Sequence, residues 1–147
     1  METSKEIDLE NKDLAGVGGW LILPAIGTFL WPVLLANALF DSFSLLRQAA
    51  RQVPDIAIFD VATLSLLFGI SLWAIYLFLK RDKRYPAVFS ILLGLNLVIV
   101  ILGAILLTSH GLSSRSLIPG LFRAAISSGI WIPYMRYSKR VKNTFVN

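Results

Sequence analysis

The sequence predicts an all-α membrane protein in which four transmembrane helices form one bundle and both termini lie in the cytoplasm. Three observations lead to this prediction. Four apolar segments each approach or exceed the roughly 20 residues that cross a bilayer. Of the 147 residues, 56% are hydrophobic and 16% are charged, whereas about a quarter of the residues of a soluble domain carry a charge. Finally, the lysines and arginines cluster between the second and third segments and after the fourth.

The composition argues against several classes of function. The net charge is +5, but no base-stacking aromatic pattern accompanies the basic residues, so no nucleic-acid partner is expected. The absence of cysteine excludes disulfides, thiolate metal sites and cysteine nucleophiles. A single histidine, without a pair of carboxylates deep in a helix, supplies neither a zinc-ligand set nor a nucleophile with its base. We therefore expect no enzyme activity and no cofactor.

Residues 1–15 are predicted to form a polar cytoplasmic arm before a single transmembrane domain over residues 16–147. Their mixed charge differs from the basic opening of a cleavable signal peptide, and the apolar run that follows is too long for the hydrophobic region of a signal. The first helix is therefore expected to remain as an anchor. The composition of the arm fits disorder and an amphipathic surface helix equally well.

The first helix is predicted at about 18–52 and begins with an uncharged stretch from Gly18 to Phe40. Pro24 and Pro32 remove backbone donors and are expected to bend the helix, and Pro54 is expected to end it. In its second half, polar residues recur at helical spacing and form either a solvated face or a polar seam toward the other helices. These residues are Asn37, Asp41, Ser44, Gln48 and Arg51.

The second helix is predicted at 56–79. Ala62, Ser65 and Gly69 share one of its faces, at helical spacing. Small residues let membrane helices approach closely, so we expect this face to pack inward. A basic turn follows the helix.

The third and fourth helices are predicted at 87–108 and 117–137. Asn96 is the only strongly polar residue of the third helix and is expected to form an interhelical hydrogen bond. The fourth helix contains Arg123 and a row of small residues at a spacing of four, which favours close packing. The row consists of Gly120, Ala124 and Ser128, with Ala125 and Gly129 on an adjacent strip.

The distribution of basic residues predicts the orientation. The positive-inside rule places loops rich in lysine and arginine in the cytoplasm. With a cytoplasmic amino terminus, four crossings put ten cations inside, against three on the opposite side and Arg123 within a helix. The inner cations are Lys5 and Lys12 of the arm and a cytoplasmic anchor of eight residues, Lys80, Arg81, Lys83, Arg84, Arg136, Lys139, Arg140 and Lys142.

This topology places the remaining polar residues near the outer face. An arginine costs about 2.5 to 3.5 kcal/mol at the centre of a membrane helix, so Arg123 needs a reason to be retained. One hypothesis is that Arg123 pairs with Asp60 or Asp41. Asn37 or His110 would complete the hydrogen bonds of this polar cluster. The alternatives are that such a pair only fixes the helix register, or that Arg123 extends outward to phosphate headgroups.

The sequence also resembles a known family over nearly its whole length. The residues that carry the resemblance are Gly18, Gly19, Trp20, Leu21 and Pro24 at the first helix, Pro86 after the basic turn, and Trp131, Tyr134, Ser138, Arg140, Val141 and Phe145 at the end. On these residues the chain resembles the small bacterial inner-membrane proteins of the family called domain of unknown function 2569. The resemblance implies a four-helix, multi-pass protein of the bacterial inner membrane, and it implies no activity.

We expect an accessory or interaction protein that packs against itself or another inner-membrane protein through its small-residue faces, because a chain of this size encloses little volume. The expected partners are the lipid bilayer and either another membrane protein or a homo-oligomer. The alternative is a component of a small-solute or ion transport pathway, in which an oligomer encloses a path along the polar cluster around Arg123. An intramembrane enzyme ranks third because the catalytic groups are missing.

Overall fold

The computed structural model of the protein describes residues 19–49 and 54–146, and the regular structure of these residues is entirely helical. A short 3-10 helix, Gly19–Leu21, leads into α1. The helices are α1 (Ile22–Ala49), α2 (Pro54–Leu79), α3 (Tyr85–Ser109), a 3-10 turn (Ser114–Leu117), α4 (Ile118–Tyr137) and α5 (Lys139–Thr144). The predicted polar arm and the predicted end of the first helix near residue 52 lie outside the described residues.

Three of these helices are long and apolar enough to cross a membrane. The candidate spans are Gly19–Ser44, Pro54–Leu79 and Tyr85–Ser109, each of 25 or 26 residues. At 1.5 Å per residue such a helix is about 38 Å long, which exceeds the roughly 30 Å of the hydrocarbon core. The three helices indicate a membrane protein. The fourth long helix, α4, has 20 residues and includes Arg123.

Most of the prolines stand where a helix accepts them. Pro54, Pro86 and Pro119 lie in the first turns of α2, α3 and α4, where a backbone N–H has no intrahelical partner to lose. Pro54 therefore begins α2 directly. Pro24 also falls in the first turn of its helix, whereas Pro32 lies inside α1.

Two helix ends close on a residue in the left-handed conformation. At the end of α2, the amides of Arg81 and Asp82 each donate to a carbonyl of the last turn at 3.0 Å, and Arg81 has a φ of 52°. At the end of α3, Gly111 has a φ of 71°, and the amides of Gly111 and Leu112 donate at 3.0 and 2.9 Å. This arrangement satisfies the last carbonyls of a helix. Glycine adopts the conformation freely, whereas arginine adopts it at a steric cost.

The four long helices pack in antiparallel pairs that follow the sequence. α1 packs on α2, α2 on α3 and α3 on α4, while α1 and α4 form no extended interface in the described residues. The α3–α4 pair runs the length of α4. Before α4 begins, Leu117 Cδ1 lies 3.7 Å from the position that a β-carbon on Gly103 would occupy. In its middle, Ser128 Oγ donates to Leu93 O at 3.2 Å. Near its end, Met135 packs among buried residues at the start of α3.

The packing gathers the start of α1, the α2–α3 turn, the end of α4 and α5 at one end of the bundle. We call it the basic end, because it carries the eight residues of the predicted anchor, and we call the opposite end the far end. The larger buried cluster lies at the basic end: Leu21, Ala74, Leu77, Tyr85, Val88, Phe89, Leu93, Met135, Val141 and Phe145. A smaller cluster of Leu35, Leu67 and Leu92 joins α1, α2 and α3 farther along.

The small-residue face of α2 does not pack inward, so that expectation was wrong. Ala62, Ser65 and Gly69 are all exposed, and a β-carbon on Gly69 would meet no atom within 4 Å. Interior packing is as dense as an organic crystal, and here the space between the helices is filled by larger side chains from a different face of α2. The buried residues of α2 are Leu67, Ser71, Ala74 and Leu77.

The small residues of α4 divide between two environments. Ala124 and Ser128 are 4% and 6% exposed, and they form the contact surface with α3. Ala125 and Gly129 lie on the neighbouring strip and are exposed. The close packing predicted for this helix therefore applies to one of its two small-residue strips.

Candidate functional site

A pocket of about 360 Å³ lies between α1, α2 and α3, toward the far end of the bundle. We call it the far-end pocket. Antiparallel packing places the second half of α1 beside the start of α2, and the second half of α3 beside both. Most of the lining is apolar, with Leu67, Ile99 and Leu106 as examples. The polar side chains of the lining are Ser42, Asp60, Thr63 and Asn96.

Asp60 provides the only carboxylate among the residues that line the far-end pocket. Its Oδ2 accepts a hydrogen bond from Ser42 Oγ on α1. Ser42 is 7% exposed and Asp60 is exposed, so the pair joins a buried hydroxyl to a carboxylate at the pocket wall. Hydrogen bonds to a carboxylate are stronger than those between neutral groups. The arrangement holds a carboxylate beside an apolar pocket, which suits a cationic molecule with an apolar body.

The two other polar residues of the pocket differ in their own hydrogen bonding. Thr63 Oγ1 donates to Phe59 O at 2.7 Å, so its hydroxyl proton is used within α2. Asn96 is half-buried on α3, and no hydrogen bond joins its side chain to another helix in the part of the chain that the structure describes. Asn96 therefore faces the pocket with an amide that can both donate and accept a hydrogen bond.

The five residues of the predicted polar cluster do not come together. Asp60 lines the far-end pocket, whereas Asn37, Asp41 and His110 are exposed and lie outside its lining. Arg123 is exposed on α4, which packs on α3 rather than on the helices that carry the aspartates. Within residues 19–49 and 54–146, no ion pair joins Arg123 to either aspartate.

The polar stripe of α1 is exposed where it is described. Asn37, Asp41 and Ser44 all lie on the surface, and Ser44 Oγ donates to Asp41 O at 2.7 Å, within its own helix. This exposure favours a solvated face over a polar seam between helices. Arg51 lies outside the described residues.

A second, smaller cavity of about 190 Å³ lies between all four long helices. The indole of Trp31 borders it, and Trp31 Nε1 is buried with no hydrogen-bond partner within the described residues. Thr28 also lines the cavity, and its hydroxyl donates to Pro24 O at 2.8 Å. Since a hydroxyl carries one proton, the 2.6 Å contact between Thr28 Oγ1 and Tyr85 Oη must be donated by the tyrosine.

The comparison with known protein families identifies the chain. The family described as "Protein of unknown function (DUF2569)" matches residues 14–146. The chain belongs to the DUF2569 family. The resemblance noted in the sequence is therefore confirmed, and the match covers all the helices of the bundle. No curated protein and no solved structure matches the chain.

In this DUF2569 protein the first and last described segments meet at the basic end. Val141 and Phe145 are 1% and 4% exposed, and the Phe145 ring centroid lies 4.5 Å from that of Tyr85. The Arg140 guanidinium lies 3.8 Å from the position of a β-carbon on Gly19, whose φ of 56° favours glycine. The carboxyl-terminal segment is therefore packed into the end of the bundle.

The cations of the predicted anchor surround this end. Seven of the eight are exposed, and Arg140 is half-buried. A hydrogen bond with Tyr76 holds the pKa of Lys80 above its ordinary value, and Lys80 Nζ lies 4.6 Å from the centroid of the Tyr76 ring. Lys80 is therefore positively charged at neutral pH.

Several residues of these sites were missed in the DUF2569 sequence. Ser42 was overlooked because attention fell on its more polar neighbours. A signal existed, since Ser42 follows Leu35 by seven residues and so stands on the same face of α1. The contact between Thr28 and Tyr85 joins residues 57 positions apart, and no local pattern indicates it.

Proposed function

We propose that the protein is an accessory or interaction protein that crosses the bacterial inner membrane four times, with α4 as the fourth span. The antiparallel contact of α4 along α3 supports this, because a helix packed along the length of a membrane span shares its depth. At 1.5 Å per residue, 20 residues extend about 30 Å, which matches the hydrocarbon core. The proposal assigns no catalytic residue and no cofactor.

The proposed orientation places the basic end in the cytoplasm, with both termini inside. Its support is the positive-inside rule together with the gathering of the eight anchor cations at one end of the bundle. A topology reporter fused at His110 should appear outside, and one at Lys83 should appear inside. A reporter at Tyr137 separates four spans from three: it appears inside if α4 crosses. An external signal at Tyr137 would contradict the fourth span.

The interaction role rests on the exposed small-residue face of α2. Ala62, Ser65 and Gly69 form a shallow strip on a helix that otherwise exposes large apolar side chains, such as Leu66 and Trp73. Small strips let two membrane helices approach closely. Such a strip is complementary to itself about a two-fold axis, so a second copy of the chain is the partner that we propose.

Substitution of Gly69 by leucine tests this interface. Gly69→Leu fills open space, so it should leave the fold intact while it blocks close approach of a second α2. We expect dimer formation in lipid vesicles, measured by energy transfer between labelled copies, to weaken about tenfold, or about 1.4 kcal/mol.

Gly129→Leu is the matched control, because Gly129 is also exposed in open space but lies on α4. It should leave dimer formation unchanged. A wild-type chain that stays monomeric, or equal loss in both variants, would contradict self-association through α2. A different membrane protein that co-purifies with the wild type and is lost with Gly69→Leu would retain the interface and change the partner.

A second candidate is a component of a transport pathway, and the far-end pocket favours it. In this version Asp60, rather than Arg123, is the central charged residue, because it faces the apolar pocket beside Asn96. Asp60→Asn should abolish uptake of a lipophilic cation into proteoliposomes that contain the protein. Asp55→Asn is the control, since Asp55 is an exposed acid one turn earlier and outside the pocket lining. Equal uptake with and without the protein would reject this candidate.

A further inference from the structure

A groove of about 530 Å³ at the basic end is not explained by either proposed role. It lies between the start of α3, the end of α4 and the segment that contains α5. Three cations line it, Lys83, Arg136 and Lys142, and none of its described lining residues is acidic. The three come from three separate parts of the chain, so only the folded bundle brings them to one groove.

The remaining walls of the groove are mainly apolar. Ile91 and Ile132 lie farther along α3 and α4 than the cations do, and Met135 and Phe145 are buried beside them. Ile91 is 60% exposed and belongs to a candidate membrane span. Six residues separate it from the first residue of α3, or about 9 Å at 1.5 Å per residue. The groove therefore has positive charge near the membrane surface and apolar walls toward the membrane interior.

The first turn of α3 adds to the attraction for an anion. Pro86 and Ala87 of this turn line the groove, and the N-terminus of a helix carries a partial positive charge. The helix has 25 residues, so its dipole is fully developed. Lysine, arginine and a helix N-terminus are the groups that bind phosphate in proteins.

We propose that this groove is a binding site for an anionic glycerophospholipid, with the phosphate between Lys83, Arg136 and Lys142 and an acyl chain along Ile91 and Ile132. The division of charge along the groove matches such a lipid, in which a negatively charged headgroup adjoins a hydrocarbon chain. A soluble phosphate would use the rim and leave the apolar walls in contact with water. Basic pockets between membrane helices on the cytoplasmic side are sites of this kind.

The test is a lipid titration of the full chain in a mild detergent, followed by native mass spectrometry. The probes are phosphatidylglycerol, cardiolipin and phosphatidylethanolamine with identical acyl chains, together with glycerol phosphate as a headgroup without chains. We expect retention of the two anionic lipids at a ratio of one lipid to one chain. We expect weaker retention of phosphatidylethanolamine and none of glycerol phosphate.

Variants locate the binding. Each of Lys83→Gln, Arg136→Gln and Lys142→Gln should weaken phosphatidylglycerol binding about fivefold, the equivalent of about 1 kcal/mol per basic residue. Ile91→Ser should weaken it through the acyl chain while the charge is unchanged. The matched control neutralises three cations of the same end that lie outside the groove lining, Arg81, Arg84 and Lys139.

The outcomes separate a site from a diffuse field. If the control variant loses as much binding as a variant with all three groove cations changed to glutamine, general surface charge is responsible and the proposal is overturned. Equal binding of phosphatidylethanolamine would also overturn it. Glycerol phosphate that binds as tightly as the lipid would replace the lipid with a soluble phosphate ligand. Circular dichroism and thermal unfolding of each variant verify that the bundle is intact.

Discussion

Replacing Thr28 with valine should destabilise the bundle more than replacing Tyr85 with phenylalanine, although both changes remove the same hydrogen bond. The two side chains are 3% and 0% exposed, and Thr28 Oγ1 lies 2.6 Å from Tyr85 Oη. Thr28 gives its proton to Pro24 O, so Tyr85 is the donor in the shared bond. The two variants therefore leave different groups without a partner.

The free energies follow from what remains buried. In Tyr85→Phe, Thr28 keeps its bond to Pro24, so the loss is that of one ordinary hydrogen bond, about 0.5–1.5 kcal/mol. In Thr28→Val, the hydroxyl of Tyr85 stays buried without an acceptor, which costs about 1–3 kcal/mol. The double variant contains neither group and should cost less than the sum of the single changes.

Equilibrium unfolding in mixed micelles measures these differences, with the free energy of unfolding taken from helix content as denaturing detergent is added. The order should be wild type, Tyr85→Phe and then Thr28→Val, from most to least stable. A larger loss for Tyr85→Phe than for Thr28→Val would refute the assignment of donor and acceptor. Strict additivity in the double variant would show that the two hydroxyls do not interact.

Three further predictions use the same unfolding measurement. Phe145→Ala should cost about 3–5 kcal/mol, as for other buried phenylalanines, while Val146→Ala, at an exposed neighbour, should be nearly neutral; a loss under about 1 kcal/mol for Phe145→Ala would mean that the segment after α5 is not packed into the bundle. Gly111→Ala should cost about 1 kcal/mol and Arg81→Gly should be neutral or stabilising, because both positions have a positive φ; the opposite signs would contradict the left-handed turns. Arg123→Ala and Asp60→Ala should add within about 0.5 kcal/mol, and a larger coupling would restore the ion pair between them.

Much of the helical architecture was predictable from local properties of the sequence. Hydropathy over about 20 residues marks a membrane span, and prolines in first turns mark where helices begin. Family membership was also predictable, since the residues near Trp20 and those after Trp131 carry it. These signals do not depend on what the rest of the chain does.

The candidate sites were less predictable. Asp60 and Asn96 stood out as polar residues in apolar segments, and both line the far-end pocket. Their partner Ser42 and the exposure of Gly69 were not foreseen. α2 is apolar on all sides, so its sequence contains little periodic signal for the face that packs. That choice is made by the shapes of α1 and α3.

The sequence by itself determined that this chain enters a membrane, where its long helices lie and where its cations are concentrated. These are properties of composition and of short segments. The tertiary structure alone decided that Arg123 lies away from Asp60, that Tyr85 bonds to Thr28, and that three distant cations share one groove. The physical reason is that contacts between helices depend on their rotation and register, which are set by packing among all four helices rather than by any one segment.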